Sequence, residues 1–168
     1  MSNTAKTKLL FIILVFLPAL PVFSQAAPEK PAEKQELFWL CPGMETALFS
    51  DSGLAIGGGI SLGYGKRAAI GLKAAFFCDF AGEVKTVEIN LLARWYFISP
   101  FSGPFAQLSV GPAFFFDSED DDSTLGIVSA SLCAGWRFLI EQNWFLEASI
   151  RGGYPFIAGV GFSFGYRF

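Results

Sequence analysis

The chain has 168 residues, which fits one domain, and 52% of them are hydrophobic, with Phe alone contributing 20. Its formal net charge of −3 argues against nucleic acid as a partner. It contains no histidine, which removes the commonest general base and a frequent metal ligand. Its three cysteines, Cys41, Cys78 and Cys133, have the spacing of neither a disulfide framework nor a zinc site. No cofactor, metal or catalytic centre is expected.

Residues 1–26 read as a secretory signal peptide. Lys6 and Lys8 supply the positive start, and Leu9 to Leu20 form an apolar stretch too short to span a bilayer and interrupted by Pro18. Cleavage is expected between Ser24 and Ala26, and no cysteine stands there to take a lipid. Residues 27–36, A-P-E-K-P-A-E-K-Q-E, read as a flexible solvated linker. The mature domain is then 37–168.

From Leu37 onward the chain has no helical period. It has eight segments of strand length, at 37–49, 53–65, 67–78, 84–97, 104–116, 124–138, 143–155 and 157–168. Pro42 makes the first the least regular. Successive side chains of a strand point to opposite faces, and most segments sort cleanly. In the second, Leu54, Ile56, Ile60, Leu62 and Tyr64 oppose Gly57, Gly59, Ser61 and Gly63. In the fourth, Val87, Ile89, Leu91, Ala93, Trp95 and Phe97 oppose Glu88, Asn90, Leu92, Arg94 and Tyr96. In the sixth, Val128 to Phe138 on one parity oppose Ser129, Ser131, Cys133, Gly135 and Arg137. The last sets Ala158, Val160, Phe162, Phe164, Tyr166 and Phe168 against Ile157, Gly159, Gly161, Ser163, Gly165 and Arg167. One face is large and apolar, and the other is glycine, serine and a few charges. A soluble exterior would carry Lys, Thr and Glu instead. The pattern predicts an all-β fold, an eight-stranded antiparallel up-and-down transmembrane β-barrel, with the apolar face toward lipid and the small face toward a crowded lumen.

The connections alternate. Gly65-Lys66, the Pro100–Pro104 stretch and Ile140–Asn143 fall at one end with both chain ends. Asp51-Ser52, Asp79–Glu83, Asp117–Ser123 and the Pro155 turn fall at the other. Aromatic residues gather at strand ends. Tyr64, Trp95, Phe97, Trp136, Phe138 and Trp144 form a predicted girdle at the first end, with Phe49, Phe76, Phe114 and Tyr154 toward the second.

On these features, residues 37–168 resemble the small eight-stranded outer-membrane barrels of OmpA/OmpX type. The resemblance implies location in the cell outer membrane, with outer-membrane lipid as the surrounding partner. It further implies that the barrel assembly machinery reads a C-terminal signal of Phe164, Tyr166 and Phe168. Ser163 stands where such barrels usually carry glycine. The connections at the first end are then periplasmic and those at the second extracellular.

Parity places Glu45, Lys73, Glu88, Arg94, Glu147 and Arg151 in the lumen, with Asn90 and Gln107. Three acids and three bases in an interior of this size predict a mutually paired structural charge network. The acidic run Asp117–Asp122 lacks the glycine and distal Glu of a calcium loop; it reads as a solvated loop, with a weak divalent-cation or surface-partner site as the alternative. The expected role is structural or surface-exposed, with adhesion or surface contact through the loops, and not enzymatic. A narrow ion or small-solute channel and a soluble lipocalin-like ligand-binding barrel are the competing classes.

Overall fold

The computed structural model describes residues 38–49, 53–80, 84–117 and 124–168. The predicted signal peptide and linker, and Ser118–Asp122 of the acidic run, lie outside the described residues. Eight strands follow one another: β1 (Phe38–Phe49), β2 (Gly53–Gly65), β3 (Ala68–Asp79), β4 (Val84–Tyr96), β5 (Gly103–Asp117), β6 (Thr124–Leu139), β7 (Trp144–Tyr154) and β8 (Phe156–Arg167). Each pairs antiparallel with the next, and β1 pairs with β8, so the sheet closes into a barrel. Closure leaves no sheet edge, so backbone donors and acceptors are met within the protein rather than by water. We call the end carrying the β2–β3, β4–β5 and β6–β7 connections the near end, and the other the far end.

Two prolines interrupt this ladder without ending a strand. The register of β1 against β8 passes from Leu40↔Tyr166 to Gly43↔Ser163 and skips Cys41 and Pro42, whereas β1 pairs with β2 straight through Pro42. Opposite in the ring, β5 against β4 passes from Ala113↔Glu88 to Val110↔Leu91 and skips Gly111 and Pro112. A proline has no N–H to donate. Each therefore weakens the pairing on one side only, and the predicted interruption of the first segment is confined to its β8 neighbour.

Alternation sorts the side chains. Met44, Ile70, Leu91, Val128, Leu132, Ile150 and Phe162 point outward and are exposed, each at more than 60%. Within the strands, the outward row carries one charge, Lys85, beside the far-end start of β4. Inside, large residues sit over glycines of the neighbouring strand. A Cβ on Gly63 would stand 2.5 Å from the Trp39 ring, and one on Gly57 would stand 2.5 Å from the Phe77 ring. Gly165 and Gly135 make the same room for Phe145 and Phe105. This is why the interior row reads as glycine: eight strands enclose space for side chains only when large ones face absent ones.

Two expectations fail at the far end, and one of them is an expectation of parity. Ile157 faces outward and is exposed, while Phe156 is buried in its place. The register of β8 against β1 shifts between Leu48 and Phe49, and this bulge moves the alternation by one residue. Phe49, predicted for an outer girdle, keeps the inward parity of Glu45 and Ala47 on β1 and packs on Phe156 at 4.5 Å and Phe115 at 6.1 Å between ring centroids.

Candidate functional site

The interior is built in three zones. At the near end, Trp39, Cys41, Leu92, Phe101 and Phe145 form a buried apolar cluster. At the far end, Ala47, Ala55, Ala75, Phe77 and Phe156 form another, with Phe49 against it. The charged residues lie among and between these clusters. They gather because each stands on the inward parity of its strand, and the cross-strand neighbours are small: Glu45 faces Gly57 and Gly161, and Arg151 faces Gly159.

The charges form two groups. In the first, Lys73 donates to Glu45 Oε1. Arg151 Nη1 lies 3.1 Å from both Glu45 Oε2 and Glu88 Oε2, and its Nη2 lies 3.3 Å from Glu88 Oε1. Two acids thus face two bases. The Arg151 guanidinium also stands 4.6 Å from the Phe156 ring centroid and 5.3 Å from that of Phe77.

In the second group, Arg94 and Arg137 share Glu147. Arg94 also donates to Gln107 Oε1 from Nε at 2.9 Å and from Nη2 at 2.7 Å, and to Tyr96 Oη at 3.1 Å. Gln107 donates onward to Ser109 Oγ at 3.0 Å, and nearby Ser129 donates to Asn90 Oδ1 at 2.7 Å. Both guanidiniums are faced by rings: Arg94 lies 4.1 Å from the Phe105 centroid, and Arg137 lies 3.8 Å from Phe145 and 4.7 Å from Trp39. Ring faces carry negative potential and partly replace lost water.

A cavity of about 40 Å³ lies between the groups, lined by Lys73, Arg94, Arg151, Glu45 and Glu147 and by serines 109, 131, 149 and 163. It has room for a few water molecules. Lys73 also stands opposite Ser61 in the register, but its amine is held by Glu45, and an ion-paired ammonium is not a nucleophile.

The six sequence-predicted charges all face this interior and contact one another within two groups rather than one. Arg137, whose parity is inward, joins the second group beyond the six predicted charges. Asp79, at the end of β3, is also buried, and neither residue was in the balance of three and three. Phe101 carries no signal in the sequence, because it stands in a turn.

The predicted girdle residues lie at the near end. Tyr64, Trp95, Phe97, Phe138 and Trp144 are exposed, and Trp136 is half-buried and stacked on Phe138. Of the C-terminal residues, Phe164 stacks on Trp144 at 4.9 Å, and Tyr166 Oη accepts from Asn143 Nδ2 at 2.9 Å. The Phe168 N–H donates to Phe38 O at 2.8 Å, so the last residue is tied across the β1–β8 seam.

No family model matches the sequence, and no curated protein does. Solved structures match the fold. The N-terminal β-barrel domain of Pseudomonas aeruginosa OprF aligns with a TM-score of 0.59 at 21% identity, over 80% of this chain and 100% of that one. The outer membrane protein OprG from Pseudomonas aeruginosa aligns at 0.58 and 12% identity, over 82% and 98%. Neisserial surface protein A aligns at 0.54 and 19% identity, over 79% and 95%. The fold is that of the small eight-stranded outer-membrane barrels.

Proposed function

We propose that this chain is an integral outer-membrane barrel with a structural or surface-exposed role and a lumen filled by its own side chains. The observation that carries the reading is the polarity of the barrel wall. Outward side chains are predominantly apolar around the whole ring, and the strand charges other than Lys85 at the far end are gathered inside. Fully exposing one Leu or Ile side chain to water forgoes about 1.5–3 kcal/mol. A continuous belt of them belongs in lipid rather than in water. Strands of 11 to 16 residues are long enough to cross a bilayer at the usual tilt. A soluble ligand-binding barrel would need the opposite polarity.

The near end is then periplasmic and the far end extracellular. The barrel assembly machinery would read Phe164, Tyr166 and Phe168 during insertion, and outer-membrane lipid would surround the belt. Aromatic clusters at both ends and paired charges between them support a non-conducting, non-enzymatic lumen. Contacts at the cell surface would fall to the far-end connections, including the acidic run at Asp117–Asp122 as a weak divalent-cation or partner site.

The test is heat-modifiability. Membrane fractions from cells expressing the full precursor are run on SDS gels with and without boiling. The expected result is an outer-membrane band whose mobility changes on boiling. Soluble periplasmic protein with no shift would overturn the reading.

A further inference from the structure

Phe101 is carried by the β4–β5 connection and not by a strand. Its backbone φ is +68°, a region that a bulky L-residue rarely adopts. The side chain is fully buried with Trp39, Cys41, Leu92 and Phe145 in the near-end mouth. The ring meets Phe145 edge-on at 5.4 Å and lies 6.1 Å from Tyr96. The Arg137 guanidinium stands 4.2 Å from its centroid, and the Arg167 guanidinium stands 5.4 Å from it.

In the cluster around that ring, polar groups are left over. Arg137 Nη1 and Trp39 Nε1 are buried, and neither has a hydrogen-bond partner among the described residues. Their owners are adjacent, with the guanidinium 4.7 Å from the indole ring. Glu147 serves both Arg94 and Arg137, so this group holds two cations and one anion. Unused donors and a surplus positive charge are costly to bury, and an oxyanion would answer both. The far end is different: its plugging rings, Phe77 and Phe156, stand on strands whose backbone is held by the ladder, and not on a connection.

We propose that Phe101 is a lid over the near-end mouth, and that the space its ring fills takes a small inorganic oxyanion such as phosphate on Arg137 and Trp39. A benzyl group is at least as large as phosphate, so its departure clears the room. Phe101→Gly removes the ring and leaves the backbone of the turn in place, since glycine adopts positive φ freely. The inference rests on the closed barrel and not on which membrane holds it.

Cys41 is the reporter, because it is buried in the same cluster as Phe101. Full-length protein folded in detergent micelles, with Cys78→Ser to leave Cys41 and Cys133, is treated with a hydrophilic maleimide. Each cysteine is then followed by peptide mass. Phe101→Gly should speed Cys41 labelling by on the order of tenfold or more, because opening no longer has to precede reaction. Inorganic phosphate should slow that labelling again relative to chloride at equal ionic strength, and adding Trp39→Phe should weaken the protection. Slow Cys41 labelling in a Phe101→Gly protein that keeps its boil-dependent gel shift would overturn the lid. Fast labelling that phosphate does not slow would overturn the anion site. If Phe101→Gly does not fold, the unsubstituted lid decides. Cys41 reacting well ahead of Cys133 shows opening from the near end, while Cys41 reacting no faster than Cys133 overturns the proposal.

Discussion

The two charge groups of the lumen solve one problem in two ways. Around Glu45, Lys73, Glu88 and Arg151, every charge has an opposite of its own, and the Glu45 and Lys73 side chains keep 20% and 12% of their exposure to the cavity beside them. Around Arg94, Arg137 and Glu147, one carboxylate serves two guanidiniums, side-chain exposure is 5% or less, and aromatic faces do the rest. The first group is held by pairing and some water. The second is held by a shared anion under rings. A paired group should tolerate the loss of a member better than a shared one, and that difference can be tested by substitution.

The largest effect is expected at Glu147. Glu147→Gln leaves two buried guanidiniums without their common anion, and removing one partner of a buried pair typically costs about 3–5 kcal/mol. The urea midpoint for loss of the boil-dependent gel shift, measured in detergent micelles, should fall sharply or the barrel should fail to fold. A midpoint near the parent's would show that the rings and Gln107 alone carry both cations.

The rings come next. Trp39 covers both guanidiniums of the second group and itself lies over Gly63. Gly63→Val puts new atoms into the indole, and overpacking of this kind costs about 1–3 kcal/mol. The same urea midpoint reads it, and the indole's displacement should show as a changed near-ultraviolet circular dichroism spectrum. An unchanged spectrum and midpoint would mean that the Trp39 ring is not pinned.

These two groups also mark what the sequence could disclose. Period-two alternation carries the inward row, because a barrel with a lipid-like exterior punishes any one-residue slip along its whole length. That is why the inward positions of Lys73, Glu88 and Arg94 are legible in the alternation alone. Arg137 follows the same parity, but it stands between Trp136 and Phe138 near a strand end, where composition reads as an interface rather than a core. The partition into two groups depends on which strands face each other across the lumen and at what height, and alternation says nothing about height. Phe101 lies in a turn, where no period applies. Phe156 replaces Ile157 inside because the bulge in the β1–β8 register near Phe49 shifts the parity, and a bulge leaves no mark in the alternation itself.

Within the first group the effects should be smaller. Glu45→Gln takes one partner from Lys73 and one of two from Arg151, which keeps Glu88. Lys73 borders the cavity and can be hydrated there, so the penalty should be about 1–2 kcal/mol, near that of one charged hydrogen bond. A loss as large as that of Glu147→Gln would erase the distinction between the groups.

The smallest effect sharpens the comparison most. Glu45→Gln combined with Lys73→Met removes an acid and a base together and leaves Arg151 on Glu88, so no buried charge is stranded. Replacing both members of a buried pair is often close to neutral, because the desolvation of two ions disappears along with their attraction. The double variant should therefore stay within about 1 kcal/mol of the parent and be more stable than Glu45→Gln alone. All four corners of that cycle are measured by the same urea midpoint. No such rescue is open to the second group, because deleting Glu147 with either arginine still leaves the other arginine buried and unpaired. If the Glu45–Lys73 double variant falls by the full sum of its single variants, the first group is not a set of pairs. Its members would then depend on the cavity and not on each other.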